Sequence, residues 1–275
     1  MSTKTRLLIF SKDRAVQLLA LLESLQAMCL EFDVLDTVVL VKTTAKKHKR
    51  QYEELEEEFP NVYFYEETAL FPDISKLLMN LSYVLFLVDD AICIRPFCVP
   101  TMIQKLNENE DALGFSLRLG RNITYSYPHK CQQDKPVFTK LGEDVLKLNW
   151  TKYKCDFGYP MELSSSIYRV SDVQALLQNS DVHTLQLVEN SMWYNSRFRK
   201  DRQPNLMCFE TSCIFSNPMN ITGSNSVNRF SKMNEYSVDA VAGKFDEGYK
   251  IDIKPFVGFT PIGCHQEVPY SWIRR

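Results

Sequence analysis

The chain has 275 residues, a net charge of -2, 45% hydrophobic and 24% charged residues. This is the composition of a soluble globular protein rather than a disordered or fibrous one. The near-neutral charge leaves no electrostatic footprint for nucleic acid, and no run of about 18 apolar residues offers a membrane span.

In chain order, Arg6-Leu-Leu-Ile-Phe10 reads as a short strand, followed by a polar turn, Ser11-Lys-Asp-Arg14. Residues 15–29 carry apolar side chains at helical spacing, with Ser11 or Asp13 available as the cap. Residues 37–42 form a second strand ending in Lys42-Thr43. Residues 46–59 form a charged helix stopped by Pro60, whose basic start and acidic continuation predict internal ion pairs rather than nucleic-acid binding. Residues 62–65 are a third strand and 72–81 a short helix. Tyr83–Val88 is a fourth strand, β-branched and aromatic, apolar enough to be buried on both faces.

The chain continues with a helix at 101–107 and a strand at 112–117. Residues 120–136 form a polar loop, read as a surface excursion or a cover over a site. A strand or hairpin arm is expected at 145–150, a strand at 164–169, and a helix at 172–178 capped by Ser171. A helix at 184–197, a strand at 207–215, an Asn-rich loop at 217–230, a helix at 237–247 closed by Gly248, and a late strand at 251–255 complete the pattern. Strands alternating with helices predict a mostly parallel sheet. We expect a single domain over 1–275, with a nucleotide-type half at 1–110 and an irregular half at 111–275, on one continuous sheet.

Two adjacent carboxylates, Asp89 and Asp90, end the fourth strand. Ligands of open α/β sheets bind outside the carboxyl ends of strands. Paired acids there repel each other and resist burial, so a hard divalent cation, magnesium or manganese, is a fitting counter-charge. The ordinary alternative is a strand end with two solvated aspartates. The eight cysteines include no C-x-x-C pair and no zinc-like spacing with histidine, which suits reduced, mostly buried thiols in a cytoplasmic protein. The N-x-[ST] matches at Asn80, Asn122, Asn149 and Asn220 are then fortuitous.

The opening strand ending in Phe10-Ser-Lys-Asp-Arg14, the strand ending in Leu87-Val-Asp-Asp90, a glutamate within the 184–197 helix and a late His265 stand in an order that resembles nucleotide-sugar glycosyltransferases of the GT-A fold, particularly family-2-like members. The resemblance implies transfer of a hexosyl or deoxyhexosyl group from a nucleoside-diphosphate sugar to a hydroxyl of a glycan or other acceptor, with Mn2+ or Mg2+ as cofactor. It implies that Phe10, Ser11, Lys12, Asp13 and Arg14 lie beside the base and phosphates, with Lys42, Thr43 and Lys76 facing the same cleft. Aligned on the strand end, the first aspartate of the family's D-x-D falls on Val88. Asp89 then approaches the ribose or the metal's waters, and Asp90 is the metal ligand. In the other register Ala91 takes the last place and metal dependence is in doubt. His265 resembles the further metal ligand that some members add. Glu189 is the expected base for an inverting reaction, since it interrupts an apolar helix face where burial would raise its pKa. Tyr168, Trp193 and Tyr194 read equally as aromatics that stack on the acceptor sugar and as core residues, and Asn228-Arg229 reads as a solvated loop first and a clamp on phosphate or acceptor second.

Two other readings remain. One is a catalytically degenerate fold serving as a binding or scaffold module. The other is a nucleotidyltransferase, disfavoured because no glycine precedes Gly114 to build a phosphate loop. The absence of G-x-S-x-G and G-x-G-x-x-G disfavours a serine hydrolase and a dehydrogenase.

Overall fold

The computed structural model describes residues 4–177, 182–222 and 229–275. The first half alternates strand and helix: β1 (Thr5–Lys12), α1 (Ala15–Met28), β2 (Asp36–Lys42), α2 (Lys46–Glu58), β3 (Val62–Glu66), α3 (Leu70–Leu77) and β4 (Tyr83–Val88). Next come β5 (Ala91–Cys93), α4 (Val99–Glu108), β6 (Ala112–Ser116), and the short strands β7 (Tyr125–Ser126), β8 (Cys131–Gln132) and β9 (Thr139–Lys140). The remainder is β10 (Val145–Asn149), β11 (Ser165–Arg169), α5 (Val170–Leu177), α6 (Leu185–Ser196), β12 (Asn205–Phe209), β13 (Ile214–Ser216), α7 (Val238–Asp246), β14 (Tyr249–Ile251) and β15 (Trp272–Arg274).

Nine strands join one sheet in the order β3-β2-β1-β4-β11-β6-β12-β10-β9. From the pairings, β3, β2, β1, β4, β6, β12 and β9 run one way, and only β11 and β10 oppose them. The sheet is therefore mostly parallel, as its near-continuous apolar strands require. Alternation along β1 sends Leu7 and Ile9 to one face and Leu8 and Phe10 to the other, and both sets are buried. Helices α1, α2, α4 and α7 cover the first face; α3, α5 and α6 cover the second.

Several local expectations are corrected. Neither Ser11 nor Asp13 caps α1, whose N-cap is Arg14 with no side-chain bond; both side chains are drawn into contacts across the strand ends. Ser171 does not cap α5, because that helix already begins at Val170. The stretch 207–215 divides into β12 and β13, since Asn122 Oδ1 accepts from the Ser212 amide (3.0 Å) and β13 leaves to pair with β5. The late strand lies at β14, where β15 pairs with it, and Pro255 falls in the turn beyond. Caps at Thr184 and Ser237 each accept a backbone N–H, and Gly248 takes φ 80° just past α7. Five of the eight cysteines are buried and all are free.

Candidate functional site

The parallel strands deliver their carboxyl ends to one edge. β1 ends at Lys12, β4 at Val88 and β6 at Ser116, while antiparallel β11 begins there, with Ser165 opposite Leu87. A wide open groove lies at the other end of β1 and β4, lined by Thr5, Asp36, Leu81 and Ile103 among others. Two clusters of buried ionisable groups converge at the carboxyl edge, around Asp89 and around Glu162.

The Asp89 amide donates to the Phe10 carbonyl (3.1 Å), extending the β1–β4 pairing by one step. This draws the Asp89 side chain over the first turn. Its Oδ2 accepts from Ser11 Oγ (2.9 Å) and from the Lys12 amide (3.2 Å), and its Oδ1 from Arg14 Nη1 (2.9 Å). The same Nη1 reaches Asp90 Oδ2 at 3.2 Å, and Nη2 donates to the Asn220 carbonyl. Tyr52 completes the chain: its hydroxyl accepts from the Arg14 amide (3.0 Å) and lies 2.5 Å from Ser11 Oγ. Asp89 is 5% exposed, so the picture of two solvated aspartates fails. Burial pushes its carboxyl up and Asp90 adds to this, against the pull of Arg14. For Arg14, burial opposes the charge, but Asp89 and Asp90 outweigh it and raise the pKa.

The remaining first-half residues divide. Phe10 is 3% exposed and stacks on Phe86 at 5.8 Å, so its side chain belongs to the core rather than to a bound ligand. Asp13, at φ 55°, accepts from the amide and hydroxyl of Thr44, each at 2.8 Å. Lys12 Nζ donates to the Thr222 carbonyl (3.1 Å). Lys42 pairs with Glu67 at 2.5 Å, and Thr43 is half-buried beside it. Lys76 lies over the Tyr65 ring. Tyr65 is level with Val88 in register but three strands away, about 14 Å at the usual strand spacing.

Beyond Asp90 the chain forms β5, which pairs with β13, and Ser216 of β13 bridges to His265. The Asn217 amide donates to the Asp90 carbonyl (2.8 Å). Asp90, Ser216 and His265 thus stand on adjoining backbones. His265 is half-buried, and its Nδ1 has no partner. Burial and Arg118 lower its pKa, while Asp156, Asp90 and Glu162 counteract. The 120–136 loop is tied to this segment: the Thr124 and Tyr125 amides both donate to the Ile262 carbonyl, and Tyr127 bonds Glu267. Among the described residues, no group of three or more His, Cys, Asp or Glu side chains is gathered for a metal.

A second acidic centre sits at the start of β11. Glu162, 2% exposed, accepts from the amides of Ser164 and Ser165 and from the hydroxyls of Ser164, Ser165 and Ser166. Arg118, 5% exposed, faces it at 3.7 Å. Glu189, on α6, meets the Leu163 amide at 3.2 Å and the Tyr159 hydroxyl. Burial and the neighbouring Glu162 lift its pKa to about 7, although Arg118, Leu163 and Tyr159 pull the other way. Its location on a mixed helix face signalled this; Glu162, Arg118 and Tyr159 were missed. The run Glu162-Leu-Ser-Ser-Ser166, a carboxylate ahead of three hydroxyls, is the signal that could have found the first of them.

Of the expected acceptor aromatics, Tyr168 is fully buried, and its hydroxyl bonds the Glu162 amide and the Pro160 carbonyl; it is core. Trp193 stacks on Tyr159 (5.7 Å) with Arg197 over its ring at 4.1 Å, and Tyr194 is exposed. Arg229 lies over the Tyr127 ring, and Asn228 is outside the described residues.

No family model matches the chain. The bifunctional glycosyltransferase pgtA of Dictyostelium discoideum is 30% identical over 192 residues, which is 62% of this chain and 25% of that protein. The chain therefore spans about a quarter of the length of this curated relative, a sequence relation to a glycosyltransferase. Among solved structures, S. aureus TarS 1-349 in complex with UDP aligns with a TM-score of 0.48 and 13% identity, over 78% of this chain and 61% of that one. The mannosyltransferase PcManGT from Pyrobaculum calidifontis, in complex with GDP-Man and Mn2+, aligns with a TM-score of 0.34 and 14% identity, over 46% and 41%. No helix among the described residues is long and apolar enough to cross a membrane.

Proposed function

We propose that the chain is a metal-dependent, inverting glycosyltransferase, in which one domain presents a nucleotide-sugar half (1–110) and an acceptor half (111–275) to a common cleft. The observation that supports this best is the pairing of two unlike acidic centres at one sheet edge: Asp89–Asp90 clamped by Arg14, and Glu189 with its pKa near 7. Widely separated environments for carboxylates at one site are how acid and base roles are divided.

In this reading the β1–α1 turn, with Ser11, Lys12 and Asp13, borders the nucleotide. Asp89 braces that turn rather than touching ribose, since both its oxygens are taken by the protein. The residues present fit a divalent ion. Asp90 receives only one side-chain bond, and His265 keeps a buried nitrogen without a partner. Asp90 and His265 would hold Mn2+ or Mg2+, which accept carboxylate and imidazole donors. When bound, such an ion offsets the charge that develops on the departing diphosphate. Glu189 takes the proton from the acceptor hydroxyl. That oxygen bonds to the sugar's anomeric carbon as the bond to the diphosphate breaks, and the proton stays on Glu189.

The first test is thermal denaturation with uridine, guanosine, adenosine and cytidine diphosphates, with and without Mn2+. One base is expected to raise Tm by several degrees at about a hundredfold excess over Kd, and more with the ion. No shift with any of them would refute the donor assignment. A catalytically silent binding module is the second reading, favoured by Val88 at the first D-x-D place. It predicts nucleotide binding without transfer to any acceptor.

A further inference from the structure

Arg118 follows the end of β6 by two residues and is held there by the backbone. The Leu117 amide donates to the Ser165 carbonyl (2.9 Å), and the Cys213 amide donates to the Leu117 carbonyl (2.8 Å). The side chain is 5% exposed. An arginine carries five N–H donors in a rigid fork. Among the described residues this one donates no hydrogen bond, and its Nε and Nη2 are buried with no partner.

Burying a guanidinium so little used is unfavourable unless something compensates it. Glu162 supplies charge at 3.7 Å, beyond hydrogen-bond length, and its own oxygens are filled by the three serines. Arg14 is the partial contrast: its Nη1 and Nη2 are occupied by Asp89, Asp90 and Asn220, and only its Nε is buried without a partner. Four more buried polar atoms lack partners at the same edge: Ser116 Oγ on β6, His265 Nδ1, Arg14 Nε and Asn220 Oδ1. Arg118 alone among these residues leaves two such atoms unfilled.

We propose that Arg118 is an anion-binding residue of the reaction centre, and that it grips the diphosphate of the donor from the side opposite Asp90. This rests on the nucleotide-sugar reading and deepens it. A diphosphate has the oxygens to fill the planar fork, which a neutral sugar hydroxyl does not match in charge. Arg118 stands at the same sheet edge as Asp90, with β11 between their strands, and a cation at that edge would offset the negative charge that grows as the sugar departs.

The test is calorimetric binding of a nucleoside and its diphosphate, in the presence of Mn2+, to the wild type, to Arg118→Ala, and to the double variant R118M/E162Q. The double variant removes both members of the buried pair, so that neither is left uncompensated if Arg118→Ala does not fold. The wild type is expected to prefer the diphosphate over the nucleoside. Both variants are expected to lose tenfold or more of that preference while binding the nucleoside as before. Transfer by Arg118→Ala should fall by about a hundredfold or more, with partial rescue by added guanidinium. A folded variant that keeps the wild-type ratio, or that loses nucleoside and diphosphate equally, overturns the assignment. A wild type that binds no nucleotide at all overturns the donor reading as well, which separates the two failures.

Discussion

Glu189 ties its pKa to two separate outcomes. As the proposed base it must be deprotonated, so kcat/KM is expected to fall tenfold per pH unit below about 7 and to level off above it. Glu189→Gln should lower kcat by roughly two to four orders of magnitude and leave nucleotide binding intact. Stability moves the other way. The folded carboxyl holds its proton to about 7, whereas the unfolded one releases it near 4.5. The native state therefore binds more proton between these values, and stability drops as pH rises through them. The loss is on the order of 1–3 kcal/mol, reduced because the residue is only half-buried. Glu189→Gln should remove this slope and leave the variant more stable than wild type at pH 8, measured by urea denaturation at pH 5 and 8. Asp89 behaves differently, because its loss strands a buried guanidinium. Asp89→Ala is expected to cost about 3–5 kcal/mol, lowering Tm by about 10 °C. A variant as stable as wild type would show that Arg14 finds another partner.

At the level of elements, Gly114 couples the sheet to the acidic centre. A Cβ there would lie 2.5 Å from Tyr168 Cε1 and 3.2 Å from the Ile167 carbonyl. Tyr168 is fully buried and bonds the Glu162 amide, so the ring has no free direction in which to yield. Gly114→Ala is expected to cost about 1–3 kcal/mol and to reduce activity beyond that loss, by displacing Glu162 and Arg118; a thermal melt and an assay below Tm separate the two effects. The elements themselves were largely legible. Residues 83–88 form a strand with the expected bounds, because an apolar β-branched run ending in two acids has few other solutions. The division of 207–215 was hidden, because its cause is the side chain of Asn122, about 90 residues earlier. Arg118 was hidden for the same kind of reason. An arginine after a strand reads as a solvated turn residue until Glu162, Cys264 and Glu189 are brought around it by pairings that no local pattern encodes. Tyr168 misled in the opposite sense, since a tyrosine in a strand fits a binding surface as readily as a core.

The whole molecule is organised by one sheet edge supplied from distant parts of the chain. β1 and β4 from the first third lie beside β11 and β6 from the middle third and β12 from the last, so all three parts of the chain meet in the middle of the sheet. The chain's last residues return to the first helices: Arg275 pairs with Glu54 and Glu58 of α2, and Lys250 with Glu23 of α1. What the sequence could not disclose is this juxtaposition, because hydrophobic period reports which face of an element is buried and not against which partner.

The bridge between Ser216 and His265, stacked on β5 beside Asp90, bears on how the protein can be made. During translation the strands through β4 leave the ribosome long before residues 214–216 and 265 exist to cover β5. The nascent chain must therefore hold Ala91, Ile92 and Cys93, all buried in the finished protein, without their eventual neighbours. A product stopped short of residue 265 would retain most of the sheet and lack the bridge that closes over Ser216.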